Sequence, residues 1–328
     1  MKKIKIDFVD FWSDLDKEDN YFINRLRRYY DVEIDKDAPV IFASCFGDRA
    51  YDMTDRVKIC FCGENYIPDF NVYDYVCGFH DITFGDRYLR LPLYALYTER
   101  IKEALSKHTK DDAYYLTEKK FCNRVVSNPD SAPMREELFE KLSRYKQVDS
   151  GGKYKNNVGG AVADKIAFER NYRFTLAIEN SSTPGYVTEK ILEAFAGDTV
   201  PIYWGDPRIA EEFNPEAFIN CMEYTDTDAL IGRIKEVDEN EEEYLRMMKA
   251  PVLKEGLRAA AILKEDYADA FLKNIFDSDP KDAFRRNREY YGREYQKKIR
   301  TAIHMRRALD VVYKPAHQLG KWIKQGKG

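Results

Sequence analysis

Short apolar runs alternate along this chain with longer stretches in which apolar residues recur every three or four positions. That rhythm is the mark of strands and helices taking turns. The pattern predicts strands over residues 3–11, 38–43, 57–62 and 73–79, with a helix over 20–30. Residues 87–94 close this first set, and Pro92 discourages a regular helix there. Residues 95–118 are mostly charged with some helical spacing, and they read as a crossing segment. A second alternation then begins, with strands over 120–127, 174–178, 200–204 and 218–220. Its helices are expected over 132–145, 163–171, 188–196, 226–237, 241–249 and 251–276.

The stretch 174–207 organises this second half. It predicts a strand, a polar loop, a helix starting at Thr188 as N-cap and stopped by Gly197, and a second strand that ends at Gly205-Asp206-Pro207. Such a unit points a helix N-terminus beyond the strand ends, where phosphates bind. Lys190 falls in the first helical turn, an unfavourable place for a cation unless an anion is present. Glu189 points about 100° away round the helix, free to accept from ribose hydroxyls. A solvated Glu-Lys pair on an ordinary helix has the same spacing, and both readings stand at this level. The glycine-rich loop over 150–160 matches neither P-loop spacing nor GxGxxG. Glu64 sits at the end of an apolar strand, where partial desolvation would raise its carboxyl toward use as a base. Pairing with a neighbouring arginine is the structural alternative.

Length adds a domain count: 328 residues exceed what one core usually serves. Charge adds an asymmetry. The last 48 residues carry 14 Lys and Arg against 4 Asp and Glu, so that of the total of −4 the preceding part holds −14 and this tail +10. Phe284, Tyr291, Tyr295, Ile299, Ala302, Leu309 and Tyr313 share one side of a helix expected over 283–313, which suits packing on the body or an anionic membrane interface. The N-terminus lacks an apolar signal core and no segment is long enough to span a bilayer, so a cytoplasmic protein is expected, peripheral on the inner membrane face if the tail binds lipid. Six cysteines without CxxC and four scattered histidines predict buried thiols and no metal site. The Asp-x-Asp triplets are explained by the abundance of Asp.

The residues ENxxxPGYVTEKILEAF and TVPIYWGDP resemble the donor signature of the glycosyltransferase family 10 α-1,3/4-fucosyltransferases, the bacterial members most. Gly63-Glu64-Asn65, Asp86-Arg87-Tyr88-Leu89-Arg90 and Ser127-Asn128-Pro129 with Arg135 and the Gly151-Gly152 loop are similar to the same family, over residues 1 to 280. The resemblance implies an α/β fold of GT-B architecture, two Rossmann-like domains facing across a cleft, with the basic helical tail appended. The expected division is 1–118 for acceptor, 119–280 for GDP-fucose and 281–328 for the tail. It implies Glu64 as general base and Asn180, Tyr186, Thr188, Glu189 and Lys190 as donor contacts. Lys155 stands where an Arg would bind the diphosphate, and Arg to Lys loses the planar fork. The implied reaction is inverting transfer of L-fucose from GDP-β-L-fucose to the GlcNAc 3-OH of a Galβ1-4GlcNAc-type acceptor. No metal is required, although Mg²⁺ or Mn²⁺ can bind the diphosphate. No nucleic-acid partner is expected. The alternatives are a GT-B transferase for another nucleotide sugar and a non-catalytic nucleotide-binding module at a membrane surface.

Overall fold

The computed structural model describes residues 1–129 and 132–325, with side chains through Asp310. Two compact α/β units emerge. The first comprises residues 1–78, 83–89 and 269 onward; the second comprises 79–82 and 90–268.

In the first unit, strand β1 (Lys2–Val9) is followed by helix α1 (Tyr21–Leu26) and strands β2 (Tyr30–Ile34), β3 (Val40–Ala43), β4 (Val57–Phe61), β5 (Tyr75–Gly78) and β6 (Tyr88–Arg90). They form one sheet in the order β2-β1-β3-β4-β5-β6. The pairs from β2 through β5 are parallel. β3, β4 and β5 are buried along their whole length, which explains their continuous apolar runs. The helix expected to reach residue 30 stops at Leu26. Asn20 caps its start by accepting from the Phe22 and Ile23 amides. The alternating Tyr30-Asp-Val-Glu-Ile34 then leaves the helix to pair with β1, Lys2 opposite Tyr30.

The second unit opens with α2 (Thr98–Ser106) and α3 (Asp112–Tyr115), and continues through β7 (Lys120–Arg124), α4 (Pro133–Tyr145), β8 (Val148–Ser150), α5 (Lys165–Glu169), β9 (Tyr172–Ile178), α6 (Lys190–Ala196), β10 (Val200–Trp204), α7 (Ile209–Glu212), β11 (Ile219–Asn220), α8 (Thr227–Glu239), α9 (Glu241–Lys249) and α10 (Arg258–Ile262). Its sheet runs β11-β10-β9-β7-β8, all pairs parallel. The core gathers Phe174, Leu176 and Ile178 of β9, Val200 and Ile202 of β10, and the apolar faces of α4, α8 and α9. Residues 90–118 therefore fold with this unit and do not end the first one: α2 lies on α6, and Arg100 pairs with Glu193. In place of the expected long helix over 251–276, a turn containing Gly256, whose φ is +88, precedes α10, and residues 263–268 separate α10 from a second helix over 269–276.

After residue 268 the chain returns to the first unit through α11 (Asp269–Phe276), and α12 (Tyr290–Gln325) ends it. Residues 281–289 belong to no helix. Ala283 and Arg286 are buried, and the Arg285 and Arg286 amides donate to Asp74 at 2.9 and 3.0 Å. The helical tail thus starts at Tyr290, and only part of its expected apolar face meets the unit: the Tyr295 hydroxyl donates to Asp69 at 2.5 Å and Ile299 is half-buried. Tyr291 and Leu309 are exposed. Tyr313 and residues 326–328 lie outside the side chains and residues described.

Candidate functional site

In an open parallel sheet the site lies where neighbouring strands lead off in opposite directions, beyond their C-terminal ends. In the second unit that point falls between β7 and β9. A cavity of about 170 Å³ opens there, lined by Ser127 and Asn128 beyond β7, by Ala177, Ile178 and Asn180 at the end of β9, and by Arg135, Lys165, Glu169 and Lys190.

Glu179, fully buried, shapes the loop that carries Lys190. Its amide donates to the Trp204 carbonyl at 2.8 Å, and its carboxylate accepts from the Thr188 amide at 2.8 Å and from the Thr188 hydroxyl. The same carboxylate accepts from Lys190 Nζ at 2.8 Å. The demand for these bonds overrides the expected N-cap: α6 starts at Lys190, Glu189 stands at the cap position without a side-chain cap bond, and Thr188 serves Glu179 instead. Gly185 has φ +90, and a Cβ there would stand 2.4 Å from the Phe79 carbonyl oxygen, so this turn admits only glycine. Tyr186 is buried with its ring edge-on to Phe79 at 4.9 Å.

Of the expected donor residues, Asn180 and Lys190 line the cavity. Thr188 and Tyr186 are built into its supporting wall. Glu189, partly exposed, lies 3.8 Å from the Lys190 ammonium. Burial alone would raise the Glu189 carboxyl; the Lys190 and Lys165 ammoniums outweigh it and hold the group below its ordinary value. For Lys190, burial works against the charge and the Glu179 and Glu189 carboxylates outweigh it, so its pKa is raised.

Lys155 does not reach the cavity. It is exposed, with φ +44, and its ammonium sits 2.7 Å from Glu136 and 3.2 Å from Glu140 on α4. The glycine-rich loop serves the chain itself: the Gly151 and Tyr154 amides donate to the Arg124 and Val126 carbonyls, and a Cβ on Gly152 would collide with Val126 O at 1.9 Å. The guanidinium in the cavity is that of Arg135, on the first turn of α4 and buried. Its Nη2 donates to the Asn128 carbonyl at 2.6 Å and its Nη1 to Asn180 Oδ1 at 3.4 Å, while Nε has no partner among the described residues. A planar fork with donor capacity to spare suits two oxygens of a phosphate. Lys165 adds a second ammonium, 2.5 Å from Glu193 and 3.7 Å from Glu169. Burial pushes the Glu169 carboxyl up to about 7, with Lys165 opposing. The signal for Arg135 was its place just after Ser-Asn-Pro; nothing in the spacing marked Lys165 or Glu169.

In the first unit, the buried strand β4 runs through Cys62 and Gly63 to Glu64, which is exposed, so burial does not supply the desolvation expected for it. The Glu64 carbonyl accepts from Cys62 Sγ at 3.1 Å and from the Tyr66 amide at 2.9 Å. Among the described residues no group of three His, Cys, Asp or Glu is placed to hold a metal ion, and the six cysteines are free thiols, five of them buried.

Comparison with known proteins matches residues 6–97 to the α-(1,3)-fucosyltransferase FucT N-terminal domain and residues 116–249 to the C-terminal part of glycosyltransferase family 10 (fucosyltransferase). The chain belongs to glycosyltransferase family 10. Within the family it is 30% identical over 286 residues to the α-(1,3)-fucosyltransferase FucT of Helicobacter pylori, covering 75% of this chain and 59% of that relative. It thus spans about three-fifths of that protein's length. It is 28% identical over 196 residues to α-(1,3)-fucosyltransferase B of Drosophila melanogaster, covering 52% and 43%. A crystal structure of an α1,3-fucosyltransferase with GDP-fucose matches with TM-score 0.71 and 26% identity, over 87% of this chain and 93% of that one. A structure of an α1,3-fucosyltransferase without a named ligand gives 0.73 and 28%, over 85% and 91%. The two parallel α/β units of this family member are those of the GT-B architecture.

Proposed function

We propose that the chain is an inverting α-1,3-fucosyltransferase that moves L-fucose from GDP-β-L-fucose to the GlcNAc 3-OH of a Galβ1-4GlcNAc-type acceptor. The observation that carries this is the cavity between β7 and β9, where Arg135, Lys165 and Lys190 converge with Asn180 in a family whose solved relative is described with GDP-fucose. Three cations at a strand-end crevice answer a diphosphate, and they answer it best as the leaving group gathers charge. Lys190 and Lys165 reach it only by sharing or releasing their carboxylates, so donor binding rearranges the Glu179 and Glu193 pairs. Inversion calls for one displacement. Glu64 takes the acceptor proton, the acceptor oxygen bonds to fucose C1, and the C1–O bond to the diphosphate breaks. With the leaving charge met by side chains, no metal is needed.

Incubation with GDP-fucose and N-acetyllactosamine in EDTA, followed by linkage determination, tests this reading. An α-1,3-linked fucose is expected; transfer from another nucleotide sugar only, or none, overturns it, and activity that returns only with Mg²⁺ removes the metal-free step.

No helix among the described residues is long and apolar enough to cross a membrane. Met305 and Leu309 of α12 are exposed beside its basic residues, which supports peripheral attachment to an anionic membrane. Met305→Glu with Leu309→Glu should then abolish sedimentation with anionic vesicles; unchanged sedimentation rejects it.

A further inference from the structure

Five of the six cysteines are buried, and Cys45 is the one that is not. It follows β3, on the wall of a cavity of about 730 Å³ in the first unit. Phe46 and Tyr66 stand on the same cavity, 48% and 41% exposed. Arg306 and Arg307 of α12 reach it as well, with their charges already met: Arg307 donates to Asp48 at 2.6 Å and to Asp52 at 2.7 Å, and Arg306 to Asp48 at 3.1 Å. Among the side chains of this wall the thiol is the strongest nucleophile.

The sheet gives that thiol a partner. β3 and β4 are parallel with Ala43 opposite Cys60, so two residues further on Cys45 and Cys62 leave the sheet side by side. Cys45 Sγ lies against Gly63, where a Cβ would stand 3.9 Å from it, and the Cys45 and Cys62 thiols hydrogen-bond to each other. The Cys62 S–H lowers the Cys45 thiol below its ordinary value against the opposing effect of burial, and the Gly63 amide and Ser44 hydroxyl add to it. The same bond, with burial, keeps Cys62 protonated. Cys60 and Cys77 are fully buried, and burial keeps both as thiols. Cys62 also steadies the turn that carries Glu64, since its Sγ lies 3.1 Å from the Glu64 carbonyl and 3.3 Å from the Tyr66 carbonyl. One weak donor hydrogen serves all three acceptors.

We infer that Cys45 and Cys62 are a redox-active pair, which peroxide oxidises to a disulfide, and that closing the pair displaces Glu64 and stops transfer. The effect on transfer rests on the transferase reading above; the oxidation does not. The Cys45 thiolate attacks one peroxide oxygen, the S–O bond forms as the O–O bond breaks, and the departing hydroxide takes up a proton to become water. The Cys62 sulphur then attacks the Cys45 sulphur, the S–O bond breaks, and a second water leaves with the Cys62 proton. The two sulphurs together lose two electrons and the peroxide gains them. Closure removes the single Cys62 hydrogen, so the Glu64 and Tyr66 carbonyls lose the thiol donor. It also draws two sulphurs in contact to bonding distance. Only Gly63 separates Cys62 from Glu64, and a glycine resists a change of backbone angle least. The carboxylate therefore moves with the sulphur, out of hydrogen-bond reach of the proton it takes. A dithiol reductant reopens the pair by exchange.

The test treats the full chain with hydrogen peroxide and reads it by peptide mass mapping and by fucose transfer to N-acetyllactosamine. The peptides of Cys45 and Cys62 should be joined with loss of two hydrogens, fragmentation telling Cys62 from Cys60. The transfer rate should fall by about tenfold or more, the scale of a misplaced catalytic group, and return with dithiothreitol. GDP affinity by calorimetry should stay unchanged, because the donor cavity belongs to the second unit. Cys45→Ser should show the same rate before and after peroxide. Cys62→Ser should leave Cys45 as a sulfenic acid that dimedone labels; if that variant does not fold, the wild-type map decides. A wild-type map without a bond between Cys45 and Cys62 overturns the inference. A bond that forms with the rate unchanged, or with GDP affinity lost in parallel, overturns its link to Glu64. A wild-type chain that transfers no fucose before peroxide overturns the transferase reading instead, and the map still tests the pair.

Discussion

The two units share a parallel sheet and a cavity at the turn in strand order, yet the cavities differ in kind. That of the second unit is about 170 Å³ and is lined by cations already engaged with carboxylates: Lys190 with Glu179, Lys165 with Glu193 and Glu169. That of the first is about 730 Å³, with exposed rings and a balanced set of charges. The difference teaches that topology sets where a ligand binds, while side chains on the connecting loops set which one. A small polar crevice with ready cations suits a diphosphate.

The comparison breaks most visibly at Glu64, assigned to chemistry and to neither cavity's binding. Glu64→Gln should lower turnover by about 10²-fold or more, with GDP affinity by calorimetry unchanged. Equal turnover would take the base away from the first unit. Gly185→Ala forces a Cβ into the Phe79 carbonyl at a positive φ, and denaturant unfolding should show a loss of about 2–3 kcal/mol; wild-type stability would mean that the donor loop is not held as described.

Arg135→Ala should weaken GDP binding by about tenfold or more, with Arg135→Lys only partly restoring it because the fork is lost, and with the acceptor KM unmoved. Lys155→Ala should leave GDP affinity unchanged, since its ammonium is spent on Glu136 and Glu140. The reverse result would return the diphosphate to the glycine-rich loop.

The smallest effect is on stability against pH. The Glu169 carboxyl is raised from 4.5 to about 7, so the folded chain holds a proton that the unfolded chain has released. Stability should therefore fall as pH rises from about 4.5 to about 7. Glu169→Gln should flatten that slope, and a slope that survives the substitution would assign it to other groups.

Much of this was legible in the residues. Fully buried parallel strands announce themselves as apolar runs, and β3, β4, β9 and β10 fall close to where those runs lie, because a strand covered on both faces admits few polar residues. The strands that escaped notice, β2 and β8, are short and partly polar, and pairing with a neighbour is what makes them strands. The site divides the same way. Asn180 and Lys190 were visible as part of one ordered motif. Arg135 stood in the motif that follows Ser-Asn-Pro without a role attached to it, and Lys165 and Glu169 were not marked at all, since only the packing of α4 and α5 brings the three together.

What the sequence by itself determined is the set of fully buried strands, the presence of two α/β units and the turn-rich stretch that follows β9. These depend on local periodicity, turn residues and spacing, and each can be read within a short window of chain. What only the tertiary structure decided is where charges meet. Arg135 lies on α4 and Lys155 beside it, and the loop's amide bonds to the Arg124 and Val126 carbonyls, with an approach at Gly152 that only glycine allows, set a course that takes Lys155 away. The tail shows the same limit: its apolar stripe suggested one inner face, while the aspartates at 48 and 52 drew the arginine face inward. Ion pairs between residues more than two hundred positions apart leave no periodic trace, so packing alone chooses them.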